Sequence, residues 1–226
     1  MDRDQLEDVG ALSALGDPTR RRAYDHVAAA GRPVGREEVA AALGIGRTLA
    51  AYHLDRLATD GLLSVSYERL SGRSGPGAGR PAKMYDRSAR EVAVSLPPRD
   101  YGLAARLLAH AAAHDEQGET RRALRAAASS LGREIAAEEP DRRDLEPLLR
   151  ARGYEPFEDD DGVLRLRNCP FHAVAQTHPE VVCDMNLSLL EGLLDGADAD
   201  ATLDPAPGRC CVAIRRGDRS GRSETA

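Results

Sequence analysis

Apolar positions recur at helical spacing from the start of the chain, with Leu6, Val9, Leu12 and Leu15 on one face. Gly16-Asp17-Pro18 ends that helix and starts another. Asp17 is placed to cap it and Pro18 sits in its first turn, where a missing N–H costs nothing. This second helix runs from Thr19 to about Ala30 and stops at Gly31 and Pro33. A third spans Arg36 to Leu43, and Gly44-Ile45-Gly46 turns the chain into a fourth, Arg47 to Thr59. In the fourth, Ala50, Leu54 and Leu57 at i, i+4 and i+7 form the buried stripe, leaving Arg47, Thr48, Ala51 and Tyr52 on the outer side. Leu62 to Tyr67 alternates as a strand does, and Ala82-Lys83-Met84-Tyr85 reads as its returning partner.

Pro97-Pro98 marks a boundary. Behind it the spacing predicts a helix from Tyr101 to about His114 with Leu103, Leu107 and Leu108 as its spine. A second follows from Glu119 to about Ala137, striped by Leu124, Leu131 and Ile135, and a short third from Leu145 to Arg152. From Gly153 the period changes. Residues 154–157 and 163–166 read as strands around an acidic turn, Pro179 to Leu194 as a helix, and Thr202-Leu203 and residues 210–214 as closing strands. The predicted class is α+β, in four parts. Residues 1–95 form a winged helix-turn-helix domain and 96–152 a helical linker and dimerisation segment. Residues 153–216 form a small α+β sensor domain, and 217–226 a disordered tail.

Composition narrows the classes. No apolar run approaches the roughly 20 residues of a membrane helix, and Met1-Asp2-Arg3-Asp4-Gln5 lacks a secretory pattern. A cytoplasmic location is therefore expected, with thiols kept reduced. The net charge of −6 argues against a protein that coats nucleic acid with its whole surface. Its distribution says more. Residues 44–90 carry eight basic against four acidic side chains, whereas 138–204 carry six against seventeen. One phosphate-facing region joined to one that avoids phosphate fits that asymmetry.

Helices joined by a glycine turn, followed by a hairpin, define a helix-turn-helix with a wing. Arg47, Thr48, Ala51 and Tyr52 then lie at the end of a recognition helix that enters the major groove. The basic, glycine-rich hairpin tip offers Arg69, Arg73 and Arg80 to phosphate or the minor groove. The strings "LGDPTRRRAYDHV", "VAAALGIGRTLAAYHLDRLATDGLL" and "GRPAKMYD", spanning residues 6–87, resemble the winged-helix domain of ArsR-like regulators. The resemblance implies a homodimer on a two-fold double-stranded DNA operator. His53 is expected to pack or to contact phosphate. The cysteines that some ArsR-like sensors carry in this domain are missing, since no Cys precedes Cys169.

All four cysteines, at 169, 183, 210 and 211, fall within 43 residues. Cys169 sits in a loop and Cys183 in the first turns of a helix, whose dipole favours thiolate. Thiolates suit iron–sulfur clusters; zinc takes the same ligands, but structural zinc sites usually pair them closely, and here only Cys169 and His172 are close. "NCPFHAVAQTHPEVVCDMNLSLLEGLL" followed by "GRCCVAI" resembles the C-terminal domain of SufR-type iron–sulfur repressors. That resemblance implies a cluster, 2Fe-2S or 4Fe-4S, on Cys169, Cys183 and Cys210, with Cys211 or His172 as a fourth or substitute ligand. Cys211 is expected on the opposite face of its strand from Cys210. A winged-helix regulator sensing thiol redox state, zinc or a small molecule is the alternative. His110 and His114, at i and i+4, read as a solvated face, with no third ligand following nearby. No C-x-x-C, phosphate loop or G-x-S-x-G motif points to an enzyme.

Overall fold

The structure, a computed structural model, describes residues 3–69, 81–95, 99–138, 144–206 and 208–217. Arg73 and Arg80 of the expected hairpin tip, Pro97-Pro98, and the tail from 218 onward lie outside them. The chain divides into two compact units, Met1–Arg99 and Asp100–Ala226. Its class is mixed α+β, with two small antiparallel sheets among the described residues.

The first unit contains α1 (Arg3–Ala14), α2 (Pro18–Ala30), β1 (Val34–Gly35), α3 (Arg36–Leu43), α4 (Arg47–Thr59), β2 (Leu63–Glu68) and β3 (Ala82–Arg87). Asp17 caps α2, accepting a 2.8 Å hydrogen bond from the Arg20 N–H, and Gly44 ends α3 at φ 68°, a conformation any Cβ would strain. Val27, Val39, Ala50, Leu54, Leu57 and Tyr85 fill the core between helices and sheet. The sheet order is β1-β3-β2. β1 was invisible in the sequence because two residues show no period, and it forms only by pairing Val34 with Tyr85 and Gly35 with Met84. The helix and the strand read from spacing are both present, but their apolar positions do not mark the covered faces. α1 buries Ala11 and Ala14, leaving Leu6, Val9 and Leu12 exposed. β2 likewise leaves Val65 and Tyr67 exposed, so only its first residue, Leu63, reaches the core.

The second unit contains α5 (Tyr101–Ala113), α6 (Glu119–Glu138), α7 (Leu145–Arg150), β4 (Pro156–Glu158), β5 (Leu164–Leu166), α8 (His172–Ala175), α9 (Pro179–Leu193), β6 (Ala199–Leu203) and β7 (Val212–Arg216). Its sheet runs β4-β5-β7-β6, antiparallel throughout. Leu149, Leu164, Leu166, Leu190, Val212 and Ile214 are its buried centre. The segment expected as a linker contributes α5, α6 and α7 to this unit, and α6 lies along α9. α6 buries Ala128, Gly132 and Ala136, while Leu131 of the expected stripe is exposed and Leu124 and Ile135 are half-buried. Small residues prevail because the backbones touch. A Cβ on Gly192 would stand 3.0 Å from the Gly132 Cα, and one on Gly132 would press into the backbone of Leu189 and Leu193. α5 shows the same inversion, burying Ala109 and Ala112 and exposing Leu103, Leu107 and Leu108.

The acidic turn between β4 and β5 is built rather than merely solvated. Asp159 accepts from the backbone N–H groups of Val163 at 2.9 Å and Asp161 at 3.1 Å, and from the buried Arg165 Nε at 2.8 Å. Arg165 also pairs with Asp204, so its buried charge is compensated on two sides.

Candidate functional site

In the first unit, Arg47, Thr48 and Tyr52 are exposed on α4, as is Leu49, which the sequence reading missed; Ala51 is half-buried. The Arg47 guanidinium lies 3.9 Å from Glu37 of α3, a loose surface pair that leaves the side chain three-quarters exposed. Arg69, just past β2, is exposed. His53 is buried, edge-on to the Tyr52 ring at 5.4 Å, so it packs and does not face outward.

Asp55 joins α4 to β3. Its Oδ1 accepts from Lys83 Nζ at 2.5 Å and from Tyr85 Oη at 2.8 Å. Burial works against the carboxylate, but the hydrogen bonds from Lys83 and Tyr85 outweigh it and hold the group below its ordinary range. The same contact, after burial itself, pushes the Tyr85 hydroxyl upward. The Lys83 contact is exposed, and such pairs contribute little. The hydroxyl of the buried Tyr85 has more to lose. Asp55→Asn should therefore cost about 1–2 kcal/mol and Lys83→Met under about 0.5, read from urea unfolding. Because the folded pKa is depressed, the Asp55 contribution is present above the ordinary 3.8 and is lost as pH falls below it. A larger loss for Lys83→Met than for Asp55→Asn would show that this ordering is mistaken.

In the second unit the four thiols come together. Cys169 follows β5 in a loop, Cys183 lies on the second turn of α9, and Cys210 and Cys211 immediately precede β7. The Cys210 N–H donates to the Leu166 carbonyl at 2.8 Å, tying the pair to the end of β5 and hence to Cys169. The Cys169 and Cys211 thiols are near enough to act on Cys210, and the Cys183 thiol to act on Cys211. Cys211 is thus part of the same cluster, correcting its expected place on the opposite face. Neither cysteine has entered the strand, so strand alternation does not separate them.

The network singles out Cys210. It is buried, yet hydrogen bonds from Cys169 and Cys211 hold its thiol below the ordinary range, helped by the Val212 N–H and by Asn186. Cys169 is raised by its bond to Cys210 and by burial, and Cys211 by the same two causes. Asn186, fully buried on α9, donates from Nδ2 to Cys210 Sγ at 3.3 Å and accepts from Tyr154 Oη at 2.5 Å. Tyr154 is raised by burial first and then by the neighbouring thiols Cys169, Cys210 and Cys211. The sequence reading passed over both residues. Asn186 was findable, standing three residues after Cys183 and so on the same face of its helix.

His172 is exposed at the start of α8 and its Nε2 meets Gln176 Nε2 at 2.9 Å, not a thiol. As the side chains stand, no group of three or more His, Cys, Asp or Glu among the described residues could hold a metal ion. The thiols are instead linked in a row. Their chemistry fits a soft-metal group: four sulfurs, one of them favoured as thiolate, and three only half-buried.

Comparison with models of protein families, with curated proteins and with solved structures gave no match. Among the described residues no helix is long and apolar enough to cross a membrane.

Proposed function

We propose that the chain is a cytoplasmic DNA-binding transcriptional regulator of the winged helix-turn-helix type and not an enzyme. In this reading it is a homodimeric repressor whose operator affinity follows an iron–sulfur cluster. The observation that supports the sensing half is the convergence of Cys169, Cys183, Cys210 and Cys211, the only cysteines in the chain, from three separate elements. These four residues would hold the group, with Cys211 in place of His172 as the fourth. A bound cluster supplies an electron-accepting centre whose potential depends on hydrogen bonds to sulfur and on exposure. The protein's own part is to hold Cys210 through Asn186 and to shield one side of the site with Tyr154.

The DNA-binding half draws support from α3 and α4 joined at Gly44, from the antiparallel β2–β3 hairpin, and from the exposed Arg47, Thr48 and Tyr52. Arg69, Arg73 and Arg80 would meet phosphate. A second copy of the chain would cover the exposed leucines of α1 in one unit and of α5 in the other, apolar side chains that a solitary chain leaves in water. Arg47→Ala and Tyr52→Ala should each weaken binding to a selected duplex by about 1–3 kcal/mol, with little change on unrelated DNA. Unaltered selectivity in both variants would remove α4 from the interface.

The test of the whole reading is anaerobic purification, followed by iron, sulfide and zinc analysis, a visible spectrum, and duplex selection from a random pool with and without the bound group. Iron and sulfide in matched amounts, with a change in DNA affinity on their removal, are expected. Four clustered sulfurs also suit zinc; stoichiometric zinc without sulfide would replace the cluster by that second reading.

A further inference from the structure

Three of the chain's six histidines meet away from the thiols. His110 and His114 stand one turn apart on α5, their ring centres 4.1 Å apart. His178, at the start of α9, brings its ring centre to 5.8 Å from that of His110, nearly perpendicular to it. Spacing along the sequence reveals only the first two; the third arrives through the packing of α5 against α8 and α9. Burial does not explain the gathering, since His110 and His114 are exposed and His178 is half-buried.

We propose that His110, His114 and His178 form a second metal site that takes one divalent transition-metal ion of the zinc type. Two observations beyond proximity support it. The first is spacing. With Zn–N about 2.1 Å and each nitrogen about 1 Å from its ring centre, tetrahedral ligation puts ring centres about 5 Å apart. The observed 4.1 and 5.8 Å bracket that value. The second is tautomer. His114 Nδ1 contacts the His110 carbonyl at 2.9 Å, an acceptor that requires an N–H on Nδ1 and leaves Nε2 with its lone pair. His178 Nδ1 contacts Thr177 Oγ1 at 2.9 Å, which can play the same part. A second hydrogen bond that fixes the ring and frees the opposite nitrogen is the usual support of a metal-bound imidazole.

As the side chains stand the three rings could not hold an ion, so binding requires the exposed His110, whose ring no hydrogen bond among the described residues fixes, to turn towards the Nε2 atoms of His114 and His178. Neutral imidazole suits zinc, nickel and copper, in rising order of affinity towards copper. Three protein ligands would leave the fourth position to water. The ion would tie α5 to the start of α9. The site shares no residue with the thiol cluster and stands or falls apart from it.

The experiment is a titration of the full chain with Zn2+, followed by long-range 15N–1H spectra of the imidazoles. One binding step should move the signals of His110, His114 and His178 together, while His26, His53 and His172 stay in place. His178→Gln and His110→Gln should each weaken that step by at least about tenfold, with unchanged circular dichroism. Thiols blocked with iodoacetamide should leave the step intact. If zinc reaches only the thiols, if all six histidines respond alike, or if both variants bind as tightly as the parent, the proposal is overturned.

Discussion

Gly192→Ala is expected to destabilise the second unit by about 2 kcal/mol or more, although alanine is the better helix former. Gly192 faces α6 where the two backbones meet, and its new methyl would press into the Ser129 carbonyl oxygen and stand 3.0 Å from the Gly132 Cα. Neither neighbour is a flexible side-chain end, so the helices themselves must part. The helix-propensity gain, up to about 1 kcal/mol, is smaller than typical overpacking costs of about 1–3 kcal/mol. Gly10 in α1 provides the contrast, since nothing lies within 4 Å of its added Cβ. Gly10→Ala should be neutral or stabilising by up to about 1 kcal/mol. Calorimetry on the full chain would show opposite signs for the two substitutions. α9 also carries Cys183 and Asn186, so its displacement in Gly192→Ala should make the thiols react faster with iodoacetamide. Parent-like stability in Gly192→Ala would mean that α6 and α9 do not cross at these glycines.

Replacing any one of Cys169, Cys183, Cys210 or Cys211 with Ser should remove most iron and sulfide from anaerobically reconstituted protein. A hydroxyl is a hard, weakly acidic substitute for a soft thiolate. Alternation along the chain would exempt Cys211, but its contacts with both Cys210 and Cys183 include it. The four variants therefore separate two geometries. Loss at all four supports a four-sulfur site; full retention by Cys211→Ser alone restores the three-cysteine set. Each variant should keep its circular dichroism, because three of the four side chains are only half-buried. Cys210, the buried one, carries the largest stability cost, about 1–2 kcal/mol for a small core side chain made polar. Absence of iron and sulfide from the reconstituted parent would end the cluster reading and leave the DNA-binding proposal untouched, and their retention by all four variants would remove these thiols as the ligands.

Much of the secondary structure was legible in the chain. Asp17-Pro18 announced the start of α2, Gly44 the end of α3, and the stripe Ala50, Leu54 and Leu57 the inner face of α4, since caps and short periods are local chemistry. The cysteine window was legible too, because it is a count. What failed were judgements about which side of a helix is covered. Leu103, Leu107 and Leu108 on α5 mark an apolar face, but periodicity names no partner, and within the chain the alanines are buried instead.

Only the tertiary structure decided which distant residues meet. The row of four thiols requires β5, α9 and the approach to β7 to converge. Asn186 reaches Cys210 because α9 packs on that sheet, and His178 reaches His110 because α5 packs on α8 and α9. The Gly132–Gly192 crossing was equally hidden, since an interior helical glycine carries the same letter whether it faces solvent, as Gly10 does, or another backbone. Sequence periodicity reports the direction in which a side chain leaves its own element. What it meets there depends on long-range packing, a property of pairs of elements that no single stretch of the chain contains.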